Sequence, residues 1–179
     1  MKTILFLGIS LLFFITQVYG RTNPMSVFEN SIGGAWVSEG VQQGGLQGKT
    51  VDEFTWGLDG KIVKTKHYSN DPKTLEFGLR NEGIRVSNAA DSIIQFYEFD
   101  KLGGITSGTI LIEGKNMHYE YVYHGLNLRD TWKFVDSDTY ELTVGVLKDD
   151  VWETKYHEAI FTRKSKTNLY PRLTGISTW

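Results

Sequence analysis

Along most of the chain, apolar and polar residues alternate with a period of two, which predicts strands rather than helices. In Leu128–Val135 the even positions are Leu128, Asp130, Trp132 and Phe134, and the odd ones Arg129, Thr131, Lys133 and Val135. In Thr139–Leu147 the even positions Tyr140, Leu142, Val144 and Val146 alternate with Thr139, Glu141, Thr143 and Gly145. A tight hairpin about Ser137 puts the two apolar sets on one face, so that one face packs while the other meets water. The same reading predicts strands at Ala35–Glu39, Lys49–Trp56, Lys61–Tyr68, Thr74–Arg80, Ile84–Val86, Ile93–Phe99, Thr106–Glu113, Met117–Tyr123 and Val151–Thr162. Turn residues separate them: Leu58-Asp59-Gly60, Asn70-Asp71-Pro72, Asn81-Glu82-Gly83, Gly114-Lys115, Asp136-Ser137-Asp138 and Asp149-Asp150. One helical turn is expected at Pro24–Ser31, capped by Asn23 and stopped by Gly33-Gly34.

Between Lys73 and Tyr170 there is no proline, as a continuous hydrogen-bonded ladder requires. Sequential hairpins with short loops close most simply into an up-and-down barrel, which removes the exposed sheet edges. The expected fold is therefore all-β, an antiparallel up-and-down barrel of about 8–10 strands with a short N-terminal helical turn. An immunoglobulin-type sandwich is the structural alternative.

Met1–Gly20 reads as a cleaved signal peptide. Lys2 supplies the positive start, Ile4–Ile15 the apolar run, and Val18-Tyr19-Gly20 the small residues before the cut. The run is too short to span a bilayer, so no transmembrane segment is expected after cleavage. This divides the chain into residues 1–20, a barrel domain at 21–163 and a tail at 164–179, and predicts a periplasmic or secreted protein. The chain carries no Cys, which excludes disulfides, thiol nucleophiles and cysteine zinc sites. With 19 basic against 21 acidic side chains, its net charge of −2 argues against a nucleic-acid partner. A monomer is expected.

No P-loop, H-E-x-x-H or G-x-S-x-G motif is present, and no motif demands a cofactor. Candidate chemistry falls on Asn116–His124, where Met117, Tyr119, Tyr121 and Tyr123 share one face and His118, Glu120, Val122 and His124 the other. If the tyrosines face inward, they make an aromatic cavity with hydroxyls in its wall. If His118 and Glu120 do, they form an acid–base pair supported by Arg129 or Lys133, fit to bind a carboxylate or move a proton. Gly40–Gly48, rich in Gly and Gln, reads as a lid or portal at one mouth.

Gly34-Ala35-Trp36 is a G-x-W opening the first strand after a helical turn, and Phe161-Thr162-Arg163 ends the last strand. In this the chain resembles the calycin superfamily of lipocalins and fatty-acid-binding proteins, and within it the lipocalin-like domains of exported bacterial proteins. The resemblance implies that Gly34, Trp36 and Arg163 close the barrel floor, with the guanidinium stacked on the indole. It also implies a small hydrophobic or amphipathic ligand held inside, near Tyr119, Tyr121, Tyr123, Arg129 and Trp132. Three alternatives remain: a cofactor-free isomerase, cyclase or hydrolase using His118 and Glu120, a structural envelope protein with a filled interior, and a haem protein. The last follows from a similarity to nitrobindin-type barrels, which implies His157 as an axial haem ligand.

Overall fold

A computed structural model describes residues 23–41, 47–87, 93–149 and 151–165. The expected signal peptide, the middle of the Gly40–Gly48 loop and the tail beyond Ser165 lie outside the described residues. Ten strands form a closed barrel: β1 Ala35–Val41, β2 Gln47–Gly57, β3 Ile62–Asn70, β4 Phe77–Ser87, β5 Ile94–Asp100, β6 Ile105–Glu113, β7 Asn116–Tyr123, β8 Leu126–Asp136, β9 Thr139–Lys148 and β10 Val151–Lys164. Every pairing is antiparallel between chain neighbours, and β1 meets β10 to close the ring. This is the up-and-down barrel expected from the alternation. Among the described residues no helix is long and apolar enough to cross a membrane.

One expected turn is absent. Asn81-Glu82-Gly83 does not break the chain; it runs through the middle of β4, where Asn81 pairs with His67 and Asp100, and Gly83 with Thr65 and Glu98. Gly83 serves space rather than a turn, since a Cβ there would lie 2.5 Å from Arg85 Nη1 and 2.6 Å from the Glu98 carboxyl carbon. The reversal comes earlier, at Asp71, whose Oδ1 accepts the backbone N–H groups of Lys73 and Thr74. Its Oδ2 holds Arg80 Nη1 at 3.1 Å and Lys101 Nζ at 2.8 Å, tying this turn to the next hairpin. Arg80 is the extra residue of a bulge between the His67–Asn81 and Tyr68–Leu79 pairs.

The N-terminal helical turn is a 3-10 helix over Pro24–Asn30, capped by Asn23 Oδ1 accepting from Met25 N–H at 3.1 Å. It drives Met25 and Phe28 into one end of the barrel, which is the floor. There they join Trp36, Phe54, Val63, Ile94, Phe96, Ile110, Met117, Trp132, Tyr140 and Phe161 in one core. The rings meet mostly edge to face, Trp36 with Tyr140 at 4.7 Å and Phe54 with Trp132 at 5.9 Å. Burial of each large side chain here contributes about 1.5–3 kcal/mol, and this packing holds the barrel without covalent staples. Trp36 Nε1 donates to Ser31 O at 2.9 Å, and the Arg163 guanidinium lies 4.7 Å over the indole. Gly34 lies against Arg163, where a Cβ would come within 2.9 Å of Arg163 Cγ. The floor is thus built by Gly34, Trp36 and Arg163 together.

Candidate functional site

Strand parity decides what lines the lumen. Trp36, Phe54, Val63 and Phe96 are buried in the core, so each residue of their phase on the same strand points inward. On β7 the inward set is Met117, Tyr119, Tyr121 and Tyr123. Met117 and Tyr119 are buried in the core, Tyr121 packs against it, and Tyr123 stands exposed at the far mouth. Trp132, opposite Met117, also belongs to the core.

His118 and Glu120 therefore lie on the outer wall. His118 Nδ1 is 3.0 Å from Thr131 Oγ1 and its Nε2 3.4 Å from Glu113, while Glu120 pairs with Arg129 on the neighbouring strand. The inward-facing pair that the acid–base reading required is not formed, because the tyrosines claim the inner phase. Arg129 is on the outer wall for the same reason. His157 does face inward, opposite Val144, beside a pocket of about 460 Å³. Ser38, Thr50, Leu142, Ala159 and Glu158 also line that pocket. Burial and the neighbouring His67 depress the His157 pKa, keeping its imidazole neutral.

Above the apolar floor the lumen turns polar, with residues that the strand alternation had not singled out. Arg85, only 6% exposed, extends inward from β4. It donates from Nη1 to Thr65 Oγ1 at 2.9 Å and from Nη2 to Glu98 Oε1. The guanidinium lies over the paired rings of Tyr119, at 5.3 Å, and Phe96, at 5.7 Å. Arg85 Nε and Glu98 Oε2 are buried with no hydrogen-bond partner among the described residues. Across the lumen Asp130 Oδ1 accepts the Tyr121 hydroxyl at 2.8 Å. Burial, reinforced by the Glu98 charge, pushes Asp130 up to about 7 against the pull of the Tyr121 hydrogen bond and of Arg85. Burial likewise raises Tyr121 and Tyr119, so both keep their protons.

Nearer the open mouth, His67 Nδ1 lies 2.7 Å from Asp52 Oδ1. Burial works against the charged imidazole, but the Asp52 charge and hydrogen bond outweigh it and the net shift is upward. The inside of the barrel is thus graded: aromatic at the floor, then Arg85, Glu98, Thr65, Tyr121 and Asp130, then Asp52, His67 and His157. Such a layer can orient a polar head group, and Asp130 can exchange a proton near neutral pH. Among the described residues no three His, Asp or Glu side chains stand close enough to hold a metal ion.

The signal for this layer was a charged residue in the apolar phase of a strand. Asp130 shares its phase with Trp132 and Phe134, Glu98 with Ile94 and Phe96, and His67 with Val63 and Thr65. No family model matches the chain, and no curated protein does.

Proposed function

We propose that the protein is an exported, calycin-like barrel that binds one small amphipathic molecule in the half of the lumen opposite the 3-10 helix. The observation that carries this reading is the polar layer inside the barrel, where Arg85, Glu98, Tyr121 and Asp130 face inward above an aromatic floor. Buried polar groups in folded proteins are nearly always hydrogen-bonded, and an ionic side chain buried without full satisfaction costs stability that a packed apolar interior would not. A bound polar head group pairs with the half-buried members of this layer, Tyr121 and Asp130. Its apolar part then rests on Leu128 and Val144, which face inward beside Tyr121 and Asp130. Closure of the floor by Trp36 and Arg163 supports the calycin likeness, and export rests on the Met1–Gly20 pattern.

The test is native mass spectrometry of the protein purified without denaturation. A retained small molecule at one per chain, released on unfolding, is the expected result; a bare chain that also fails to take up any amphipathic compound from a mixed lipid and metabolite extract overturns the reading.

A second reading, enzymatic and cofactor-free, draws on Asp130 rather than on the outer-wall pair. An inward carboxyl whose pKa is pushed up to about 7, across the lumen from Arg85, is suited to moving a proton on a bound carbonyl compound. It requires turnover of such a compound that Asp130→Asn abolishes while binding persists.

A further inference from the structure

We infer that the distal part of the β9–β10 hairpin, Val146–Lys148 with Val151–Tyr156, is a flap that gates the lumen. At this end of the hairpin the two strands are laddered mainly to one another, as are the ends of the β1–β2 and β7–β8 hairpins. The β8–β9 ladder stops at the Arg129–Gly145 pair, leaving Val146–Lys148 unattached to β8. The β1–β10 ladder covers only Ala35–Lys164, Trp36–Arg163 and Val37–Thr162, so nothing of β10 before Thr162 is laddered to β1.

Side chains do not replace the missing ladders. Among the described residues, the one ion pair made by this part of the hairpin is Lys155 with Glu158, which is internal to β10. Val151, Glu153, Thr154, Lys155 and Tyr156 are exposed, while Val146, Leu147 and Trp152 are half-buried. A two-stranded hairpin without further support is marginal in water, and segments with few buried contacts open at low free energy.

The base of the flap is built differently from its tip. Glu153 and Tyr156 are extra residues of two bulges, and Gly145 sits under the bulged backbone. A Cβ on Gly145 would lie 2.1 Å from Thr154 O. Below Gly145, β9 is laddered on both sides again.

A pocket flanks the hairpin on each side. Toward β1 lies the 460 Å³ space reaching inward residues His157, Leu142 and Ala159; toward β8 lies one of about 500 Å³ reaching Tyr121 and Leu128. Leu147 and Asp149 line the second, so swinging the flap outward widens it toward the lumen. The flap thus gives a lateral path to the site proposed above, and its role as a gate rests on that ligand-binding reading.

Two measurements test this. In native-state hydrogen exchange, the amides of Val146–Tyr156 are expected to exchange faster than those of Tyr140–Val144 and of β7; equal protection overturns the flap. In N127C/D149C, whose cysteines line the slot between β8 and the hairpin and are the only ones in the chain, a short reducible bismaleimide ties the hairpin tip to β8. Stopped-flow binding of 1-anilinonaphthalene-8-sulfonate is expected to slow about tenfold in both directions, with the affinity changed far less, and to recover on reduction. Unchanged rates in the tied protein overturn the gate. Failure of the probe to bind the untied protein removes the ligand reading and the gate with it, while hydrogen exchange still judges the flap.

Discussion

The Arg163 guanidinium lies 4.7 Å over the Trp36 ring and reaches beyond it to main-chain carbonyls, Ile32 O at 3.0 Å, Ser137 O at 3.0 Å and Asn30 O. One side chain from the last strand thus ties together the first strand, the end of the 3-10 helix and the β8–β9 turn. Trp36→Ala is expected to destabilise the protein by about 3–5 kcal/mol through the cavity it leaves. Arg163→Lys keeps the charge but loses the planar fork, and is expected to cost about 1–3 kcal/mol by leaving carbonyls unpaired. Urea unfolding followed by tryptophan fluorescence measures both.

Gly83 holds open the space that the Arg85–Glu98 pair fills. Gly83→Ala is expected to cost about 1–3 kcal/mol, as overpacking does, and to weaken ligand binding along with stability. Ser or Ala at Gly78, where a Cβ meets nothing within 4 Å, is the control expected to leave binding unchanged.

Asp130 gives stability a particular pH dependence. Its native pKa near 7 lies above the unfolded value of 3.8, so between these values the native state holds the extra proton and stability falls as pH rises. His67, with its pKa raised in the native state, also loses its contribution as pH rises through that raised value. Asp130→Asn keeps an oxygen that accepts from Tyr121 and removes the buried charge. It is expected to be more stable than the parent at pH 8, by about 1–3 kcal/mol, and to flatten the profile between pH 5 and 8. Denaturant unfolding at the two pH values reads the difference.

On the outer wall the expectation is opposite. His118→Ala and Glu120→Ala remove partly exposed partners of Thr131 and Arg129, and each is expected to change stability by less than about 1 kcal/mol. Ligand affinity in both variants is expected to match that of the parent protein, as measured by titration.

Alternation made the strands and their order legible, because each hairpin leaves one apolar and one polar face. The helical turn was legible from Asn23 and Pro24, and floor closure from the spacing of Gly34, Trp36 and Arg163. The Asn81–Gly83 segment misled because Asn and Gly favour turns in general, whereas Gly83 is required by a contact with β5, which local composition does not encode. The face of β7 was ambiguous because tyrosines suit both water and core. Cross-strand pairing with Trp132 and Asp130 resolves it. Arg85, Glu98, Asp130 and the Asp52–His67 pair come together only on barrel closure, from β2, β3, β4, β5 and β8, so each appears in the sequence only as a charge in an apolar phase.

The most direct test of ligand binding inside the lumen is fluorescence titration with 1-anilinonaphthalene-8-sulfonate, comparing the parent protein with Val144→Phe. Val144 faces inward at the level of the polar layer, opposite Asp130 and His157, so the larger ring fills the proposed site and leaves the floor intact. Saturable one-to-one binding with energy transfer from tryptophan, lost in Val144→Phe at unchanged circular dichroism, is expected. Absence of saturable binding, or equal binding by both proteins, contradicts a ligand site inside the barrel.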